Sequence, residues 1–160
     1  MARLCDGFTA CLVTPSVAKY AFELKRNIVL FERHNRFREN GGLKFVKYDL
    51  YQGLTKLLQN KYARRFNTII CDLPFDIDLK VLSNDIIELL KPERNSAVYI
   101  VFPAKQKAVL IHAMESKGLH IFEKDEKIII EYAKPPKIVR VNGREAIQLY
   151  KFIYGPKTIN

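Results

Sequence analysis

One short run of this sequence combines residue types that could do chemistry together: Asp72-Leu73-Pro74-Phe75. The carboxylate and a main-chain carbonyl behind it can accept hydrogen bonds from an NH2 group and aim the nitrogen lone pair at an electrophile. The proline fixes its own φ and so holds the neighbouring carbonyl in place. The aromatic ring can stack on a planar acceptor or face a cationic one. Such a set suits transfer of an alkyl group from a good leaving group, where positioning supplies most of the acceleration. The competing reading is a plain strand-to-loop turn in which Asp72 serves as a cap.

Two further acids stand where strands should end. Glu32 closes the run NIVLFE, roughly where an acid accepts the ribose hydroxyls of a nucleoside cofactor. Asp49 closes KFVKYD and could hold an adenine amino group. The alternatives are a surface acid paired with Arg33 for Glu32 and a helix N-cap near Gly53 for Asp49. Tyr48 reads as packing. Other chemistries find little support. His34, His112 and His120 lie far apart in sequence, and the last two read as structural. There is no GxxxxGK[ST] loop and no GxGxxG fingerprint. Cys5, Cys11 and Cys71 form no CxxC pair, which argues against a zinc site, and no metal is expected.

The elements that must position these residues alternate in type. Apolar, β-rich runs fall at Thr9–Val13, Asn27–Glu32, Lys44–Asp49, Asn67–Cys71 and Ser96–Phe102. Between them, helical spacing of apolar residues predicts helices over Val17–Leu24, Leu54–Tyr62, Leu79–Leu90 and Lys105–Lys117. Pro15 suits the first turn of the first helix, and Gly118 stops the last. After Gly118 the chain turns β-rich, over Leu119–Phe122, Lys127–Ala133, Lys137–Val141 and Ala146–Tyr154, with Asn142-Gly143 as a hairpin signal. The pattern predicts an α/β fold: a mostly parallel sheet, helices on both faces and antiparallel C-terminal strands at an edge. With 160 residues it reads as one domain spanning 1–160. In such sheets ligands bind beyond the carboxyl ends of the strands. That places Thr14-Pro15-Ser16, Glu32, Asp49 and Asp72–Phe75 on one side.

Twenty-seven Lys and Arg against 17 acids leave a net charge of +10, which draws polyanions. Lys56, Lys61, Arg64 and Arg65 concentrate that charge in one segment. No apolar run is long enough to span a membrane and no signal peptide is evident, so the expected setting is the cytosol or nucleus.

The order ACLVTPS, LFERHNRF, KFVKYD, FNTIICDLPF resembles the N6-adenine-methylase-like family of eukaryotes. That family contains elongation-factor lysine methyltransferases and, more distantly, a ribosomal-RNA adenine methyltransferase with zinc knuckles. It replaces the glycine loop with a small-residue-Pro-Ser/Thr turn. The resemblance runs from about Thr9 to Pro103. It implies a Rossmann-like class I S-adenosylmethionine-dependent methyltransferase fold with S-adenosylmethionine as cofactor, held by Thr14, Pro15, Ser16, Glu32 and Asp49. Arg36-Phe37 corresponds to a basic-aromatic pair, Arg36 then contacting nucleic acid or another substrate. Asp72–Phe75 corresponds to the catalytic Asp-Pro-Pro-Phe/Tyr motif. Leu73 departs from it, since the family has proline there. A looser turn could weaken catalysis or mark a subunit that binds without reacting. The chain has neither the zinc knuckles nor the N-terminal extension of relatives, so substrate capture would fall to a partner protein or to the basic surface. The expected activity is methyl transfer to an amino group, adenine N6 of nucleic acid slightly ahead of a lysine on a translation elongation factor. The expectation from another class is a catalytically degenerate nucleic-acid-binding module.

Overall fold

The computed structural model describes residues 1, 4–38, 41–74, 76–122 and 147–155. Phe75, the strands expected at 127–133 and 137–141, and the Asn142-Gly143 hairpin lie outside the described residues. The first half alternates β1 (Thr9–Leu12), α1 (Pro15–Glu23), β2 (Ile28–Glu32), β3 (Lys44–Lys47), α2 (Lys56–Tyr62) and β4 (Thr68–Asp72). Then come α3 (Leu79–Leu89), β5 (Ala97–Pro103), α4 (Lys107–Glu115), β6 (Leu119–Ile121) and β7 (Ile147–Tyr154). The strands form one seven-stranded sheet in the order β3-β2-β1-β4-β5-β7-β6. β1 pairs in parallel with both β2 and β4, so the chain's winding reverses between β1 and β4. A crevice opens at that switch point, beyond the carboxyl ends of the strands.

The sequence explains why the central strands are central. All four residues of β1 and all five of β2 are buried, as a parallel sheet covered on both faces requires. One face carries α1, whose Ala18 and Ala21 let the helix approach closely over Cys11, Leu30 and Ile70. The other carries α2, α3 and α4, with Leu82, Ile86, Leu110 and Met114 against Ala10, Phe31 and Ile69. Phe31 meets Tyr48, Tyr62 and Phe66 edge-on at centroid distances of 5.9, 5.4 and 5.7 Å. Each large apolar side chain so buried contributes about 1.5–3 kcal/mol.

Helix starts follow their caps. α1 begins at Pro15, two residues before the spacing suggests, because proline needs no N–H partner there. α2 begins at Lys56 and is capped by the Thr55 hydroxyl, which accepts from the Leu58 N–H at 3.4 Å. α3 is capped by Asp78, which accepts from Lys80 N–H at 2.8 Å and Val81 N–H at 3.4 Å. The reversed strand is β7, and it sits inside the sheet between β5 and β6 rather than at the edge. Helix α4 carries the chain past the space beside β5, and the eight-residue β7 later fills it.

Candidate active site

The crevice at the switch point is a cleft of ≈ 280 Å³. It brings together the ends of three strands and one loop: Val13 after β1, Glu32 on β2, Asp72 on β4, and Asp49 in the β3–α2 loop. Pro74 and Tyr51 complete the wall between them. Three carboxylates converge in a chain of net charge +10, against the sign of the whole surface. Such a site favours a cationic ligand or a donor-rich one.

None of the three acids caps a helix. Asp72 caps no helix, since α3 begins at Leu79 and Asp78 is its cap. Glu32 is only 7% exposed, and its carboxylate accepts the His34 N–H at 3.0 Å rather than pairing with Arg33. Arg33 reaches Asp49 instead, with nitrogen and oxygen 3.9 Å apart. Asp49 caps no helix either; its carboxylate accepts the Tyr51 N–H at 3.0 Å, folding the loop back on itself.

The turn after β1 is strained. Val13, β-branched, holds φ +50 while its N–H still bonds to Phe31 O at 2.9 Å. A residue of that type in the left-handed region costs about 1–3 kcal/mol and persists only where surroundings enforce it. Thr14 stands at the N-cap of α1 yet makes no capping bond, and the residue is 4% exposed, with its hydroxyl beside the Cys11 thiol. The first-turn N–H groups of α1, past Pro15 at Ser16, therefore lack a side-chain acceptor. Thr14, Pro15 and Ser16 adjoin Val13 but do not line the cleft itself.

Leu73 faces inward rather than into the cleft. It is buried in the core, and its N–H points to Val101 O of β5 at 3.5 Å, a bond proline could not make. Packing holds this turn where the resemblance expects a second ring. Pro74 lines the cleft, and Phe75 lies outside the described residues.

The basic residues separate into two places. Arg36 is exposed in a short 3₁₀ turn after β2, on the cleft side, its guanidinium 4.7 Å from the Phe37 ring centroid. Lys56 starts α2 near the same end. Lys61 lies further along it, and Arg64 and Arg65 fall at the far end of the sheet, where their N–H groups bond to Glu88 O and Leu89 O. The segment 56–65 thus runs away from the cleft instead of lining it.

Three contributors were missed by sequence reasoning. Tyr51, half exposed on the rim, donates its hydroxyl to Asp76 at 3.0 Å, a link between the loop after β3 and the loop after β4. That carboxylate holds the Tyr51 phenol above its ordinary pKa. Asp85, buried on α3, accepts from Tyr48 Oη at 2.7 Å and from Leu54 N–H at 3.0 Å, and so anchors both ends of the loop carrying Asp49. Burial pushes its carboxyl above its ordinary pKa, and burial likewise pushes the Tyr48 phenol up. Arg33 faces the cleft as the cation of the rim. For Asp85 a signal existed: an acid among the apolar positions of a helix demands a partner.

The residues present fit a nucleoside sulfonium cofactor. The first-turn N–H groups of α1 beside Val13 have no side-chain cap, Glu32 on β2 is buried, and the cluster of acids suits a cation.

Solved structures share this architecture. A predicted O-methyltransferase from Agrobacterium tumefaciens matches with a TM-score of 0.64 at 14% identity, over 98% of this chain and 79% of its own. A 30S ribosomal methyltransferase from an uncultured bacterium matches at 0.60 and 12%, over 96% and 90%. The fibrillarin pre-rRNA processing protein of Methanococcus jannaschii matches at 0.60 and 11%, over 94% and 67%. At these identities the likeness shows the fold alone. No curated protein matches by sequence. Sheet order and cleft define a class I methyltransferase fold. The chain belongs to the family described as "Probable N6-adenine methyltransferase", whose sequence profile matches residues 5–131. It is a methyltransferase by family and fold.

Proposed function

We propose that this methyltransferase uses S-adenosylmethionine to methylate an amino nitrogen, adenine N6 of nucleic acid ahead of a protein lysine. The observation that carries this reading is Asp72: it ends β4 in the same cleft as Glu32 and Asp49, beside Pro74, and caps no helix. The family description and the charge of +10 support the nucleic-acid acceptor. Arg33 and Arg36 on the cleft side are the cations placed to meet its phosphates, more so than Arg64 and Arg65.

Glu32 and Asp49 would hold the nucleoside part of the cofactor, and Thr14, Ser16 and the start of α1 its amino-acid part. When bound, the cofactor supplies a methyl group on sulfonium, a leaving group that needs no further activation. Asp72 accepts an N–H of the acceptor amine and a carbonyl of the Leu73-Pro74 turn accepts the other, keeping the lone pair free. Phe75, next in sequence, is assigned the stacking role. The cleft carboxylate also disperses the positive charge that develops on nitrogen.

The test is incubation of the chain and its Asp72→Ala form with tritiated S-adenosylmethionine and methyl-depleted cell extract. Label released by nuclease and absent with Asp72→Ala would support the proposal. Label released only by protease would transfer it to a lysine acceptor. No label with either form, while RNA is still bound, would leave a binding module without catalysis.

A further inference from the structure

At β3 the sheet stops. β2 pairs with one side of this strand, and no described strand pairs with the other. Alternate residues of a parallel strand present both N–H and C=O outward, so the outer side of β3 keeps main-chain groups unspent. Helix α2 lies alongside, and between the two runs a groove of ≈ 340 Å³. Its apolar lining comes from Val46, Leu58, Tyr62 and Leu57. Leu57 is 76% exposed, the most open large apolar side chain among the described residues. Phe45 also borders the groove, yet its ring packs on the α1 face, so what it offers here is main chain.

Two cations and no acid line the groove. From Lys44 to Arg65 six cations stand against one acid, Asp49, and that acid meets Arg33. Lys47 and Lys61 line the groove itself and pair with no acid among the described residues.

We propose that this groove docks an extended, acidic segment of a partner protein, which adds to β3 as a further parallel or antiparallel strand. Its alternate apolar side chains sit against Leu57 and Leu58, the acids between them point to the opposite face, toward Lys47, and Lys61 on α2 draws the segment in by its charge. A second copy of the chain is disfavoured, because it would set Lys44 and Lys47 against the same lysines. RNA would use the charge but neither the unpaired strand edge nor the apolar floor, and no arginine fork lines the groove. The surface is distinct from the cleft, so this inference does not depend on the acceptor.

The test is fluorescence anisotropy of the full chain with a labelled peptide of about seven residues alternating glutamate and valine. Its counterpart with lysine for glutamate is the control, and a labelled oligoadenylate the competing probe. The acidic peptide is expected to bind at least about tenfold more tightly than the basic one, with N-methylation of its alternate amides abolishing binding. Leu57→Glu and Lys61→Glu, both at exposed positions, should each weaken it about fivefold or more with melting unchanged. Equal affinity for the two peptides would overturn the proposal, as would indifference to these substitutions. So would an oligoadenylate whose binding falls with the same substitutions while the peptide's does not, which would make the groove an RNA surface.

Discussion

At the scale of single residues, the turn after β1 holds Val13 at φ +50 and leaves the first turn of α1 without a side-chain cap. Thr14 buries a hydroxyl that caps no helix N–H and has only the weakly bonding Cys11 thiol beside it, which costs folding about 1 kcal/mol. Thr14→Val should therefore raise the melting temperature of the free protein, a gain of about 1 kcal/mol, while weakening S-adenosylmethionine binding several-fold. Calorimetric melting beside equilibrium dialysis checks both halves, and a variant that melts lower would show the hydroxyl is structural. Asp72→Ala should cut methyl transfer by about a hundredfold or more with cofactor affinity within about twofold, since its role is toward the acceptor. Asp49→Ala should do the reverse and weaken cofactor binding, read by the same dialysis. If Asp72→Ala loses the cofactor while still folded, its assignment is wrong.

At the scale of elements, the loop from β3 to α2 is the part whose placement needs explaining, because it carries Asp49 and Tyr51. Asp85 on α3 fixes it from below through Tyr48 and Leu54. Gly53 makes that approach possible: its φ is +75, and a Cβ there would meet Val81 Cγ1 at 3.1 Å and Asp85 Oδ1 at 3.3 Å. Asp85→Ala should cost about 2–4 kcal/mol, because it leaves two buried donors without an acceptor. Asp85→Asn, which keeps one, should cost less; urea unfolding measures both. The sign of the pH effect follows from the raised carboxyl. The folded chain keeps this proton to higher pH than the unfolded chain, so this group makes stability fall as pH rises from about 4 through the folded value and stay level above. Asp85→Asn should remove that component; an unchanged pH profile would mean Asp85 does not titrate in the window.

At the scale of the molecule, a field set by +10 surrounds a cleft lined by acids. Under the proposed function the two would suit different partners: the surface a polyanion, the cleft a cationic cofactor and an amine. If three or four phosphates are neutralised on single-stranded RNA, affinity should fall about 20- to 50-fold between 50 and 200 mM salt. Filter binding across that range measures the slope, and a flat one would count against a nucleic-acid acceptor. No helix among the described residues is long and apolar enough to cross a membrane.

Much of this was written along the chain. Apolar runs broken by Pro15, Gly53 and Gly118 define strands and helices because periodicity and turn chemistry are local. The rule that ligands sit beyond strand ends then brings Glu32, Asp49 and Asp72 together before any contact is seen. What the tertiary structure decided depends on partners distant in sequence. Asp78 rather than Asp72 caps α3, and Arg33 turns to Asp49 rather than Glu32. Leu73, where proline is expected, is buried in the core, and Asp85 reaches across 37 residues to Tyr48. Strand β7 enters between β5 and β6, and α2 carries its cations away from the cleft toward an open sheet edge. Side-chain type limits what each of these groups can do. Only the packing of one element on another selects which neighbour it does it with.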